Sequence, residues 1–102
     1  MKTYLGDRTI DGVVVTVDGA DLPTHAEAKQ FTDAMFEWGF DGAAATQLAF
    51  AILYDHTGDA ARAGALAPEF MRAVTANFGN EWELTSADVE EAIARLDAPV
   101  AR

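Results

Sequence analysis

The most apolar stretch of the chain lies near its middle, from Thr46 to His56. Placed on a helical wheel at about 100° per residue, its apolar side chains cover a wide arc. Gln47, Ala51 and Asp55 form the narrow strip that remains to face water. An arc this wide is typical of a helix packed on several sides. The pattern therefore predicts a central core helix that ends at Gly58.

The N-terminal fifth of the chain has the composition of an antiparallel meander. Val13 to Val17 is the clearest strand because it consists entirely of β-branched residues, with Val13, Val15 and Val17 on one face. An Asp-Gly pair on each side of it is a hairpin signal. A first strand is predicted over Lys2 to Leu5, with Gly6-Asp7 as a turn or bulge.

The segment between the meander and the core helix is harder to assign. Thr24 to Met35 fits either a short helix capped by Thr24 or an exposed loop. Phe36 to Trp38 fits a short strand, because its two aromatic residues then share a face. Trp38, Phe40 and Trp82 are either core residues or a binding platform, and Phe40 is expected to be the most exposed of them.

The C-terminal half predicts two further helices and one strand. Leu66, Phe70, Val74 and Phe78 recur at intervals of four, which is typical of one helix ridge. Pro68 lies inside this ridge, so we expect a kinked helix or two abutting helices. A short strand over Glu81 to Leu84 follows. Thr85 and Asp88 then have the spacing of a capping box for the last helix, and Leu84 with Val89 that of a hydrophobic staple.

These elements predict one α+β domain over residues 1–102. A small antiparallel sheet would combine the N-terminal meander with short strands near Phe36 and Trp82. About three helices would pack against one face of this sheet.

The charge of the chain narrows the choice of partner. Seventeen acidic residues against seven Lys and Arg give a formal net charge of −10. Such a chain is repelled by bare nucleic acid and by anionic lipid, so we expect a protein partner with a basic surface. Without cysteine or a long apolar run, we expect a cytoplasmic monomer or homodimer that neither spans nor binds a membrane. Acidity that serves only solubility is the simpler alternative.

Four short motifs occur in order along the chain: FEWG at Phe36–Gly39, QLA at Gln47–Ala49, DH-GD at Asp55–Asp59, and W-LT at Trp82–Thr85. With Tyr4 to Thr9 before them, they resemble a family of small uncharacterised proteins of bacteria, phages and other mobile elements. This family is a domain of unknown function, so the resemblance implies no catalytic residues. It implies a genomic setting in which small acidic proteins inhibit or modulate host defence.

Catalytic and metal-binding patterns are weak. Asp55 and His56 are adjacent on a helix and point about 100° apart, so they do not converge on a metal with Asp59. No nucleophile motif is present, and we expect neither an enzyme nor a cofactor. The alternative is a small enzyme or ligand-binding module with a pocket near Trp38 and His56.

The functional hypothesis is an inhibitory binding protein that mimics DNA. Its acids would occupy the basic, nucleic-acid-binding groove of a host defence complex, as an anti-CRISPR protein does. The candidate contacts are acids of the N-terminal strands and turns and of the C-terminal quarter: Asp7, Asp11, Asp18, Asp21, Glu81, Glu83, Glu90 and Glu91.

Overall fold

The computed structural model describes residues 2–97. Its four strands form one antiparallel sheet in the order β3-β2-β1-β4: β1 Thr3–Thr9, β2 Gly12–Val17, β3 Ala20–Asp21 and β4 Glu81–Thr85. Its helices are α1 Ala43–Thr57, α2 Ala60–Ala73 and α3 Ser86–Asp97, with a 3₁₀ turn over Thr75–Asn77. The predicted α+β fold is confirmed. The helices lie on the sheet face that carries Tyr4, Val15 and Trp82, all of which are buried.

Both predicted hairpins are present as two-residue turns. Thr9 pairs with Gly12 across the first turn, and Val17 pairs with Ala20 across the second. In the second turn Asp18 has φ 51° and Gly19 has φ 87°. Positive φ at both central residues matches the twist of the flanking strands, which is why Asp-Gly is favoured at this position.

The predicted break at Gly6-Asp7 is wrong, because β1 continues through both residues to Thr9. Gly6 pairs with Trp82 of β4, whose indole lies over the glycine on the helical side of the sheet. A Cβ at position 6 would lie 2.2 Å from Cε2 and Nε1 of that indole. The glycine therefore makes room for a neighbouring ring and does not turn the chain.

Helix α1 is the core of the molecule, as predicted, and every residue from Ala45 to Leu53 is buried. The predicted water-facing strip is wrong at Gln47 and Ala51, which are fully buried. Only Asp55, in the last turn, reaches a partly open position, where its carboxylate accepts a hydrogen bond from the Tyr4 hydroxyl at 2.7 Å. Burial, and then this hydrogen bond, raise the pKa of the Tyr4 phenol well above its ordinary value.

Gln47 is buried because it holds the long connection between β3 and α1. Thr24 to Met35 forms turns and loop, so the loop alternative is the one observed. The Gln47 amide donates to the carbonyls of Thr24 at 2.8 Å and Lys29 at 3.0 Å, and its oxygen accepts from the N–H of Phe31 at 2.7 Å. One side chain thus closes the loop onto the core helix.

The strand predicted at Phe36 is not part of the sheet. Phe36 and Trp38 lie in an irregular segment, and both side chains are buried. The Trp38 indole donates to the carbonyl of Gly79 at 2.7 Å, and its ring packs edge-on against Trp82. These contacts, and not a strand ladder, fix the segment. Trp38 and Trp82 are core residues, whereas Phe40 is 53% exposed, as expected.

Helix α2 is one continuous helix that contains Pro68 and ends at Ala73. The apolar ridge predicted from Leu66 to Phe78 therefore continues past the proline to Val74 at the C-terminal cap, whose N–H donates to the carbonyl of Phe70 at 2.8 Å. Phe78 lies beyond the 3₁₀ turn, where its ring stacks on Trp82 at a centroid distance of 4.3 Å. Apolar residues four positions apart can lie on one face of a helix, or the second can follow a turn and pack into the same core. The spacing alone does not distinguish these two arrangements.

The predicted capping box begins α3. The N–H of Asp88 donates to the Thr85 hydroxyl at 3.2 Å, and the N–H of Thr85 donates to the Asp88 carboxylate at 2.9 Å. The two residues therefore satisfy each other's backbone donor, and Val89 is fully buried in the next position.

Thr85→Ala is expected to lower the free energy of unfolding by about 1 kcal/mol, because the N–H of Asp88 loses its acceptor. Urea denaturation of the purified variant measures the loss. Thr85→Ser, which keeps a hydroxyl, is the control and should retain most of the stability. A Thr85→Ala protein as stable as the wild type would show that the cap contributes nothing.

Candidate binding surface

One face of the sheet carries no helix, and we call it the open sheet face. It is formed by the outward side chains of all four strands: Leu5, Asp7, Val14, Thr16, Asp21, Glu81 and Glu83. Leu5 is 43% exposed and Val14 is 46% exposed, so the centre of the face is apolar and accessible. Most of these residues line a shallow depression of about 550 Å³.

The strand register places these side chains in two rows across the sheet. One row runs from Asp21 through Thr16 and Leu5 to Glu83. The other runs from Val14 through Asp7 to Glu81. Side chains opposite each other on neighbouring strands lie roughly 5 Å apart. The acids therefore flank an apolar centre on both sides, with Asp7 and Glu81 adjacent.

The basic residues of the described chain are engaged elsewhere. The ion pairs that Lys and Arg form within residues 2–97 join Lys2 to Asp55, Arg8 to Glu37, Arg62 to Asp97, Arg72 to Asp41 and Arg95 to Glu91. The two histidines contact Glu27 and Glu90. Among the described residues, no Lys, Arg or His therefore forms an ion pair with the acids of the open sheet face. Such a surface attracts a basic partner over a range of about 10 Å at 0.1 M salt.

The other predicted contacts do not join this face. Asp11 and Asp18 lie in the two hairpin turns, at opposite ends of the sheet. The Asp18 carboxylate also accepts a hydrogen bond from the N–H of Thr3 at 2.9 Å, which ties the second turn to β1. Glu90 and Glu91 lie on α3, in the helical layer, where they contact His56 and Arg95. The eight predicted acids thus divide into a cluster of four on one face and four separate positions.

Trp38 and His56 do not share a pocket. Trp38 lies near the N-terminal end of α1, where the adjacent Glu37 donates its N–H to Ala44 at 3.5 Å. His56 lies in the last turn, where Nε2 contacts the Glu90 carboxylate. The 15 residues of α1 separate the two ends by about 20 Å. Within residues 2–97, no three His, Asp or Glu side chains are grouped to hold a metal ion.

The apolar centre of the open sheet face was not predicted. Val13, Val15 and Val17 were placed on one side of β2, and strand alternation then puts Val14 and Thr16 on the other. This signal was present in the sequence. Leu5 belonged to the predicted first strand, but the break predicted at Gly6-Asp7 separated it from Asp7, which lies on the same face of β1.

Asp7→Lys is expected to raise the free energy of unfolding by roughly 0.2–1 kcal/mol, because it replaces a repulsive cross-strand neighbour of Glu81 with an attractive one. Thermal or urea denaturation at low ionic strength measures the gain. Asp7→Asn removes the repulsion from Glu81 without adding an attraction, so the difference between the Lys and Asn variants measures the attraction alone. The gain should shrink in about 1 M salt, where charges are screened within about 3 Å. A Lys variant less stable than the Asn variant would contradict the assigned register.

A comparison with family models confirms one part of the resemblance, namely that the chain matches a domain of unknown function. The model of a family described as "Family of unknown function (DUF6166)" matches residues 4–95. Neither a curated protein nor a solved structure gives a match. Among the described residues, no helix has both the length and the apolar character to cross a membrane. The match includes β2, β3 and β4 and nearly all of β1 and α3, so the chain belongs to this family of unknown function.

Proposed function

We propose that the protein is a binding protein whose open sheet face docks on a basic surface of another protein. The observation that supports the proposal is the unpaired acidic cluster of Asp7, Asp21, Glu81 and Glu83 around Leu5 and Val14. Protein interfaces combine an apolar centre with a polar rim, and this face has that arrangement. The charge supplies fast, salt-sensitive association, and the apolar centre supplies burial.

The partner surface we propose is one that otherwise holds nucleic acid. Basic grooves of this kind bind phosphates mainly through charge and independently of base sequence. Carboxylates roughly 5 Å apart across strands and about 7 Å apart along a strand offer comparable negative charge on a protein scaffold. By occupying the groove the protein would inhibit nucleic-acid binding, which is how an inhibitor of a host defence complex, of the anti-CRISPR type, would act.

The proposal is tested by matched charge variants. The first combines Asp7→Asn, Glu81→Gln and Glu83→Gln on the open sheet face. The second combines Glu27→Gln, Asp33→Asn and Glu69→Gln, which are exposed acids outside the sheet. Both remove three negative charges, so the net charge of the chain is the same in the two variants. Any difference between them therefore reports the location of the charge.

Partners are first captured from a host lysate at low salt with the wild-type protein, identified and purified. Association rates are then measured for both variants at about 50 mM salt. We expect the sheet-face variant to associate about ten times more slowly than the wild-type protein. The association rate of the control variant should fall by less than about twofold. The wild-type protein should also displace an oligonucleotide from the partner.

Two results would overturn the proposal. Equal losses in the two variants would show that only the net charge matters. Binding that persists unweakened near 1 M salt, where the screening length is about 3 Å, would remove charge recognition altogether.

A further inference from the structure

We infer that β4 accepts an extended basic peptide of the partner as a fifth strand of the sheet. The inference rests on the proposed function and names the partner segment and its mode of binding. The open sheet face by itself is small: four strands about 4.8 Å apart and roughly five residues long present on the order of 250 Å². A stable interface buries about 800 Å² per partner. The partner must therefore extend beyond the face, and the edge at β4 is the place where the sheet can grow.

The hydrogen bonds between β1 and β4 show which backbone groups of β4 point outward. Arg8 donates its N–H to Asn80 at 3.0 Å, and Ser86 donates its N–H to Lys2 at 2.9 Å. These two bonds lie at the two ends of the β1–β4 pairing, and in an antiparallel pair every second residue bonds to the neighbouring strand. Trp82 and Leu84 therefore direct their backbone N–H and C=O groups at β1. Glu81 and Glu83 therefore turn their N–H and C=O groups to the free edge. Within residues 2–97, none of these four groups has a hydrogen-bond partner.

The opposite edge of the sheet, at β3, has fewer unpaired backbone groups than the edge at β4. Strand β3 has two residues, and the N–H of Leu22 donates to Val15 at 3.0 Å just beyond it. Every second residue of β2 directs its backbone N–H and C=O groups away from β1, and of these residues only Val13 has no residue of β3 or Leu22 opposite it. Met35 and Phe36 of the long loop line the cavities beside Val13. The β4 edge is therefore the longer unpaired row.

The side chains of β4 specify a basic peptide. In an antiparallel addition, the residues opposite Glu81 and Glu83 lie on the outer face with Cα atoms about 5.5 Å apart, and opposite charges are favoured there. Asp7 lies one strand further on, opposite Glu81. Two copies of β4 paired with each other would instead bring Glu against Glu, so charge disfavours a second copy of this chain.

The other face of β4 specifies alternating apolar residues. Leu84 lines a cavity of about 290 Å³ between the end of α2 and one side of α3, with Val74, Ala92 and Leu96 as its apolar walls. An added residue opposite Leu84 lies on this inner face. The two faces together select an extended segment in which basic and apolar residues alternate, and the unpaired backbone of β4 holds it.

The probe for this inference is a capped seven-residue peptide of alternating lysine and valine. In the antiparallel arrangement the lysine residues, opposite the glutamates, direct their N–H groups at β4, and the valine N–H groups point to solvent. N-methylation of two inner residues of one type, either lysine or valine, tests this without changing the charge. We expect methylation at lysine to weaken binding at least about tenfold and methylation at valine to weaken it less than about threefold, measured by NMR titration.

A protein variant gives a second, independent readout. Glu83→Pro removes an outward N–H without removing a bond to β1, and proline is tolerated at such edge positions. Glu83→Gln removes the same charge and keeps the N–H, so it is the matched control. We expect the proline variant to bind at least about tenfold more weakly than the glutamine variant. Hydrogen exchange at the amides of Glu81 and Glu83 should slow at least about tenfold in the wild-type complex.

The outcomes separate this inference from the proposed function. Strand addition would be overturned if both methylated peptides bound equally and the amides of Glu81 and Glu83 stayed unprotected. If that binding were still sensitive to salt, the proposed docking through charge would remain intact. Absence of peptide binding would also overturn strand addition. Peptide binding with protected amides, together with partner association that the sheet-face charge variant leaves unchanged, would support strand addition through the backbone of β4. It would overturn both the docking of the open sheet face and the selection of basic residues by Glu81 and Glu83.

Discussion

Gly6→Val is expected to destabilise the protein by about 3 kcal/mol or more. A Cβ at this position would lie 2.2 Å from two atoms of the Trp82 indole, well inside any permitted contact. The indole has little room to withdraw, because Phe78 stacks on it and Trp38 packs against it edge-on. The substitution must therefore separate β1 from β4 or displace a large buried ring. Overpacking of this kind costs about 1–3 kcal/mol, and loss of a buried aromatic contact adds to it.

Urea denaturation of Gly6→Ala and Gly6→Val measures this effect, and the loss should increase from alanine to valine. Gly79→Ala is the matched control, since the nearest atom to a Cβ there is a backbone oxygen 4.0 Å away. It should cost less than about 1 kcal/mol. A Gly6→Val protein with the stability of the Gly79 variant would mean that the indole does not lie over β1. Because Gly6 faces the helices, the outer side chains that we propose for binding are unchanged.

Gln47→Leu is expected to cost about 3 kcal/mol or more and to release the loop before α1. Leucine is close in size to glutamine but can neither donate to Thr24 and Lys29 nor accept from Phe31. These three hydrogen bonds are partly buried, and a buried backbone group left without a partner costs about 1–3 kcal/mol. The loop contributes little regular structure of its own, so the loss of its anchor should be felt along its length.

The free energy of unfolding and amide hydrogen exchange together test this prediction. The amides of the loop from Thr24 to Phe31 should exchange faster in Gln47→Leu, whereas those of β1 should change only with global stability. Gln30→Leu is the matched control because Gln30 is exposed and no hydrogen bond of its side chain is seen in the described chain. An equally mild effect of the two substitutions would contradict the role of Gln47 as the anchor of the loop.

The acidic edge of the sheet has a second consequence. An exposed edge strand is prone to pair with other chains, and charged residues on it suppress that pairing. Glu81 and Glu83 on β4 are charged residues of this kind, and they are the residues that we propose select a basic strand. Self-association is opposed by the same charges that we propose for binding. The protein should therefore stay monomeric at low salt, which sedimentation can measure.

Local signals in the sequence were sufficient for the elements with strong chemistry of their own. The Asp-Gly pairs predicted both hairpins. In the second turn both residues of the pair have positive φ, which few residues adopt readily, whereas the first turn is centred on Ile10 and Asp11 and only Gly12 after it has positive φ. The Thr85–Asp88 spacing predicted the start of α3, because a capping box acts within one turn. The wide apolar arc predicted that α1 is the core helix. The net charge predicted a basic partner, and this remains a prediction.

The tertiary structure decided what depends on contacts between distant residues. Gly6 is a turn residue by propensity and a strand residue in the fold, because Trp82 lies 76 positions away and needs the space. Gln47 is a water-facing residue by periodicity and a buried one in the fold, because the loop offers it three backbone partners. Which acids form a cluster depends in the same way on strand order. Placing β4 beside β1 joins Glu81 and Glu83 to Asp7 and leaves Glu90 and Glu91 in the helical layer, and no spacing along the chain specifies that neighbour.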